Sequence, residues 1–369
     1  MPFALVRVLA LSALGAASAV VSPAFVAPAS AGQGPAAVPA AAQSKLLRFP
    51  DLYGDRLVFT HGGDLWLAPA GGGTATRLTS HPGVELFAKF SPDGKWLAFT
   101  GQYDGDEQVY VMPSGGGVPT QLTFYPARGP LATRWGYDNQ VYGWSPDGTR
   151  VLFRSHRDSW TLPMTRLYTV AATGGPAEPL PMPESGAGAY APDGARVVYS
   201  PRFRDFRSEK RYGGGQANDL FVFDLKTNEA TRITDHPRAD RDPMWIGGTI
   251  YFNSDRSGTF NLYAYDVAKK TVAPLTTSTT WDVRWPSEDV QGGRIVFESN
   301  GELQILDTKT GKAAMVAIAV PDDGLARRPS RIPVGNQVRD VELSPRGERA
   351  LFAARGDIFT APIEKGPTR

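Results

Sequence analysis

The side chains that most often carry chemistry are scarce in this chain and poorly spaced for it. Four histidines (His61, His81, His156 and His236) and no cysteine must supply any general base, thiol nucleophile or soft metal ligand. His81 and His236 occupy the related phrases LTSHPG and ITDHPR, where His-Pro follows a closing Leu/Ile-Thr, so both read as turn residues. His61 lies in THGGD and His156 in a long loop; neither has a histidine or carboxylate at metal-ligand spacing in sequence, and no His-Glu-x-x-His occurs. GWSPDG approaches a nucleophile elbow, but its second glycine falls one residue late and its Ser145 recurs as a turn residue. NSDRSGTF, residues 253–260, resembles an Asp-box, yet its place between two strands makes it a hairpin. The expectation is no catalytic constellation, no metal site and no cofactor.

What the chain has in abundance is scaffold. Ser91-Pro92-Asp93-Gly94, Ser145-Pro146-Asp147-Gly148, Ala191-Pro192-Asp193-Gly194 and Ser344-Pro345-Arg346-Gly347 each precede an apolar run: KWLAFTG, TRVLFRS, ARVVYSP and ERALFAA. Proline presets φ and Asp-Gly tolerates left-handed geometry, so each is a tight turn leading into a buried strand. A second phrase closes the units, with Leu/Ile-Thr ending at Thr79, Thr123, Thr234 and Thr276. Thr79 to Thr123 and Thr234 to Thr276 each span roughly the 40–45 residues of a four-stranded propeller blade. Six such units fill residues 45–320, so the fold expected is all-β, a six-bladed propeller of four-stranded antiparallel blades. The turns are expected to join outer to inner strand regions of successive blades. Trp66, Trp96, Tyr110, Tyr168, Phe221 and Tyr263 are expected on blade strands and mostly buried.

Residues 321–336, VPDDGLARRPSRIPV and its flank, read as an interdomain connection, and a new repeat starts at residue 337. A part-blade cannot bury its apolar face alone, so a polypeptide truncated at 369 residues, with a further domain after it, is expected. Thirty-nine basic against 37 acidic residues leave no signature of a nucleic-acid surface. Forty glycines and 31 prolines are the turns that a many-stranded fold consumes. Residues 1–31 carry an arginine, an apolar stretch from Val8 to Val21 too short to span a bilayer, and a small-residue cleavage site at Ala31 or Ala19. They read as a signal peptide, with residues 32–44 as an Ala/Pro/Gly-rich tether. A periplasmic or secreted location follows, the alternative being an uncleaved membrane anchor. Without cysteines, closure of the ring must rest on strand pairing and core packing.

The segments RWGYDNQVYGWSPDGTRVLFRS, KRYGGGQANDLFVFDLKTNEATRITDHP and DRDPMWIGGTIYFNSDRSGTFNLYAYD together resemble the N-terminal six-bladed propeller of the tricorn protease family. The resemblance runs from about Leu46 to the end and includes the opening of a second, seven-bladed propeller at residues 337–369. It implies a non-catalytic part of a serine peptidase that degrades oligopeptides, with PDZ-like and protease domains downstream and a homo-oligomeric assembly. It also implies that this propeller gates or channels peptides and that arginines anchor the peptide C-terminal carboxylate. Arg134 matches one of the family's paired arginines, Thr133 stands at the other position, and Arg128 in the same loop is a substitute cation. The other reading of Arg134 is an ion pair with a nearby acid such as Asp138. Two rival readings of the chain are a TolB-like periplasmic binding module and the propeller of a prolyl-oligopeptidase-type enzyme.

Overall fold

In the computed structural model, the residues described are 43–126, 135–159, 161, 164–203, 205, 206, 209–322, 324, 329 and 331–369. They are built almost wholly of antiparallel strands, and no α-helix occurs among them. Six four-stranded sheets follow one another along the chain, each in simple up-and-down order. Their innermost strands are Arg48–Tyr53, Glu85–Phe90, Gln140–Trp144, Gly188–Tyr190, Asp240–Ile246 and Arg284–Glu288. Three of them, Glu85–Phe90, Gln140–Trp144 and Gly188–Tyr190, precede a Ser/Ala-Pro-Asp-Gly turn. Each turn therefore links the first and second strands of one blade, and not successive blades as the sequence suggested.

The repeated phrases have direct physical roles. In the turn at Ser91, the hydroxyl donates to Asp93 at 2.6 Å and accepts the amide of Trp96 at 3.0 Å, while Gly94 sits at φ +68°. Ser145 repeats both bonds, which confirms it as a turn residue. The closing threonine accepts the amide that opens the blade's third strand: Thr79 from Leu65, Thr123 from Val109, Thr234 from Leu220 and Thr276 from Leu262, each at 2.9 Å. That bond satisfies a buried donor which the very short fourth strand would leave unpaired. His81 and His236 each accept a backbone amide two residues ahead, as turn residues would.

Each blade presents two apolar faces, and six separate clusters of buried side chains fill the six junctions between neighbouring blades. Stacked ring pairs recur inside blades: Phe99 on Tyr110, Phe153 on Tyr168 and Phe252 on Tyr263, all with centroids 5.8 Å apart. Of the six aromatics expected inside, Trp66, Tyr110, Tyr168 and Tyr263 are buried. Trp96 is 45% exposed, because it opens its strand at the turn where no neighbouring blade covers it, and Phe221 is half-buried.

The ring closes without covalent links. Leu52 bridges to Asp289, the amide of Gly54 donates to the Asp289 carboxylate at 3.0 Å, and Leu47 packs against Val296 and Leu303. Ile318–Ala319 then pairs in parallel with Gly73–Thr74 at the rim of the first blade. Farther on, Val338–Leu343, Arg349–Ala354 and Asp357–Pro362 form a three-stranded sheet with the blade's own ring pair, Phe352 on Phe359 at 5.5 Å. Its apolar residues Val341, Leu343 and Ile358 are exposed.

Candidate functional site

The innermost strands of all six blades wall a central channel, and irregularities in those strands decide what faces it. In four blades the strand carries a residue with positive φ: Phe49 (51°), Phe87 (56°), Asp242 (52°) and Trp285 (50°). Each coincides with a break in register against the second strand. Three of these residues precede a proline, Pro50, Pro243 and Pro286, which cannot donate to the ladder. A bulge redirects a side chain that the regular pleat would commit to a blade face. Phe49, Phe87 and Trp285 thereby meet one another, with centroids 4.4–5.9 Å apart.

A fourth ring comes from outside the repeat. Phe206, in the insertion between the second and third strands of blade four, reaches Trp285 at 4.9 Å, Tyr137 at 5.7 Å and Phe87 at 6.2 Å. Gly136, at φ +67°, lies so close to Phe206 that a Cβ there would stand 2.4 Å from the ring. At the level of this cluster the channel keeps only about 60 Å³ of open space. Left-handed geometry costs about 1–3 kcal/mol per residue. Each ring pair returns about 0.5–1.5 kcal/mol beyond its area, so the cluster offsets much of that strain.

The opposite end widens into a cavity of about 360 Å³, rimmed by the turns themselves through Pro92, Pro146, Pro192, Gly247 and Gly292. Its wall carries a buried polar chain. Lys89 donates to Ser287 at 2.6 Å and approaches Asp51 at 3.4 Å, and Asp51 accepts the amide of Phe90 at 2.8 Å. Burial pushes the Asp51 pKa up, against the pull of Lys89 and Ser287. Burial likewise raises Glu288, with Lys89 opposing and Asp51 adding to the rise. Behind the aromatic cluster, Asp205 accepts the Tyr142 hydroxyl at 2.9 Å. Burial and the neighbouring Asp242 push Asp205 up to about 7, against Arg241 and Arg154.

Both non-turn histidines prove to have a carboxylate in space that sequence spacing did not reveal. His156 is fully buried with Asp138 at 3.4 Å, and His61 approaches Asp322 at 3.8 Å. Burial works against the Asp138 charge, but the His156 ring and the amides of His156 and Asn139 hold its pKa at about 2. Neither pair is joined by a third ligand: among the described residues no three His, Cys, Asp or Glu side chains converge as a metal site requires. Arg128 and Arg134 lie outside the described residues. The channel residues Phe49, Phe87, Phe206, Trp285, Lys89 and Glu288 were missed by sequence reasoning. The Phe-Pro, Asp-Pro and Trp-Pro dipeptides inside innermost strands were the available signal.

Residues 44–312 match the family of the tricorn protease N-terminal beta propeller domain. Tricorn protease homolog 1 of Streptomyces coelicolor is 33% identical over 270 residues, which is 72% of this chain and 24% of that protein. The tricorn protease of Thermoplasma acidophilum is 26% identical over 325 residues, 86% of this chain and 29% of its own length. Among solved structures, the crystal structure of the tricorn protease aligns with a TM-score of 0.71 at 24% identity, covering 88% of this chain and 31% of that one. A TolB protein from Agrobacterium tumefaciens aligns less well, at a TM-score of 0.53 and 20% identity over 65% of this chain and 83% of its own. The chain thus spans about a quarter to a third of the length of the tricorn relatives it matches.

Proposed function

This chain belongs to the tricorn protease N-terminal β-propeller family, and on that premise we propose that it is the non-catalytic propeller of a tricorn-type serine peptidase. In this reading it gates or channels oligopeptides to or from an active site housed on other domains of the parent protein. The observation that carries the proposal is the channel: walled by every blade, widened at the turn-ringed end and narrowed by aromatic rings at the other. A cross-section of this kind admits an extended peptide only after side chains move and excludes a folded protein. Residues 337–369 then form the first part of a second propeller, which the recurrence of the stacked Phe352–Phe359 pair supports. PDZ-like and protease domains, and a homo-oligomeric parent, complete this reading. The N-terminal segment supports export to the periplasm or beyond.

Arg134, with Arg128, is the proposed anchor for a peptide C-terminal carboxylate, since a guanidinium can grip it with two parallel hydrogen bonds. The test is a titration of the purified chain with short peptides as free acids and as C-terminal amides. The free acid should bind tighter by about 1.5–3 kcal/mol, Arg134→Ala should remove most of that gap, and no peptide should be cleaved. Failure of the folded chain to bind any short peptide would contradict the channel reading; equal affinity for acid and amide would contradict the anchor.

A further inference from the structure

One ring is missing from an otherwise regular series. Register sets an aromatic on the second strand of a blade opposite an aromatic on its third. The stacked pairs of blades two, three and five follow this rule, as do Phe59 with Trp66 in blade one and Tyr199 with Phe221 in blade four. The three-stranded sheet after the ring keeps it too, with Phe352 opposite Phe359. Blade six alone sets Phe297 opposite a glutamine, Gln304. The ring pairs elsewhere are also capped: Arg157 lies over Tyr168 at 4.9 Å, Arg256 over Tyr263 at 4.8 Å, and Tyr103 meets Tyr110 at 4.8 Å. In blade six, Ser299 passes through Asn300-Gly301 straight into the third strand, Glu302–Asp307, so this hairpin supplies no cap.

The space beside Gln304 is open. A groove of about 360 Å³ lies at the junction of blades five and six, with Phe297, Ser299 and Gln304 on one side and Thr276, Ser278 and Trp281 on the other. It shares no lining residue with the channel. Phe297 is buried, whereas Trp281 is 54% exposed. Gln304 is half-buried, and among the described residues its amide makes no hydrogen bond. A ring fills the equivalent place in the other blades, and an apolar recess left unfilled gains from the ring that enters it. Phe297 and Trp281 favour such a ring through offset or edge contact. The Gln304 amide suits a phenol, as Gln121 accepts the Tyr110 hydroxyl at 3.2 Å in blade two.

We propose that the groove between blades five and six is a docking site for an aromatic side chain, tyrosine above all, presented by another polypeptide, whose ring takes the place that Gln304 leaves open. The strand beside the groove argues for a polypeptide. Ala313–Met315 is the last strand of its sheet, and among the described residues nothing pairs with its outer edge. Backbone donors and acceptors are therefore at hand for the chain that delivers the ring. This site stands apart from the peptide channel and does not depend on it.

The test titrates the full chain by calorimetry with N-acetyl-Ala-Tyr-Ala-amide, with its all-alanine counterpart and with p-cresol. Both peptides are uncharged, so neither calls on a carboxylate anchor. Wild type should bind the tyrosine peptide about tenfold or more tighter than the alanine peptide, and tighter than p-cresol. Gln304→Tyr supplies the ring from within and should weaken the tyrosine peptide by about tenfold or more. Trp281→Ala removes an exposed side chain from the same groove and should weaken it as well, which keeps the test open if Gln304→Tyr folds poorly. Equal binding of the two peptides to wild type, or no binding of either, would overturn the site. Binding of the tyrosine peptide that survives Trp281→Ala and a folded Gln304→Tyr would put the ring elsewhere, the channel included, and overturn it too. p-Cresol matching the tyrosine peptide would overturn the polypeptide partner.

Discussion

One end of the channel is rimmed by turns, three of which repeat nearly bond for bond, and the other is filled by three rings from a bulge that those blades share and a fourth from an insertion. At the repeated end, Gly94, Gly148 and Gly194 share φ values of 68–70°, and each turn leans on the blade before it. At the filled end, Phe49, Phe87 and Trp285 reach the axis only through strained bulges, and Phe206 arrives on an insertion. Repetition marks the parts that must be the same for the ring to close. Phe206, which departs from the repeat, adds the ring that joins Trp285, Tyr137 and Phe87.

That contrast can be broken by mutation. Phe99 is fully buried in blade two, and Phe99→Ala should cost about 3–5 kcal/mol in a urea titration. Phe206→Ala should cost far less, because the ring is only half-buried, but should raise acrylamide quenching of Trp285 by opening the constriction. Equal destabilisation by both changes, with no gain in quenching, would make Phe206 scaffold and erase the distinction. Next in size is Thr123→Val, which deletes an acceptor for the Val109 amide and a donor to Gln108 and should cost about 1–3 kcal/mol.

A finer comparison lies within the turns. Gly94→Ala places its Cβ 2.5 Å from Tyr53 and Arg56, whereas Gly148→Ala meets Pro92 at an ordinary 3.5 Å. Both share the left-handed penalty of about 1–2 kcal/mol, so Gly94→Ala should show the larger loss in denaturant midpoint. A separate comparison is a pH dependence. Burial pushes Glu85 up to about 7 despite its bond from Thr79, and Asp205 stands at about 7 as well. Between pH 4 and 7 the folded state holds these protons and the unfolded state has released them, so stability should fall as pH rises through this window. The contribution is full below pH 4 and lost above about 7. Glu85→Gln should flatten that slope, as followed by urea midpoints across the window.

The six blades were legible in the sequence because one physical need recurs at one spacing. Every second strand needs a tight turn before it, and in four blades the short fourth strand is followed by a threonine whose hydroxyl takes the amide that the strand cannot reach. The misplacement of the turns between blades came from their position: a turn that precedes the most apolar strand looks like the start of a unit, and the innermost strand, broken by bulges, carries little alternation to announce itself. Phe206 was illegible for a different reason. It lies in an insertion with no counterpart in other blades, and its partners are separated from it by scores of residues. Phe49-Pro50 and Trp285-Pro286 did carry a signal, since proline inside a central strand implies a bulge.

The central claim is that the channel itself receives peptide, and the absence of cysteine makes one measurement unusually clean. A single Ala189→Cys substitution places a thiol on the channel wall, where Ala189 lines both the cavity and the constriction. Thr271→Cys, on an exposed outer strand of blade five, is the control. The rate of alkylation by a small maleimide should drop several-fold at residue 189 when a saturating short oligopeptide is present, and stay unchanged at residue 271. Equal rates with and without peptide at residue 189, for peptide shown to be bound, would mean that it binds elsewhere and that the channel is not its site.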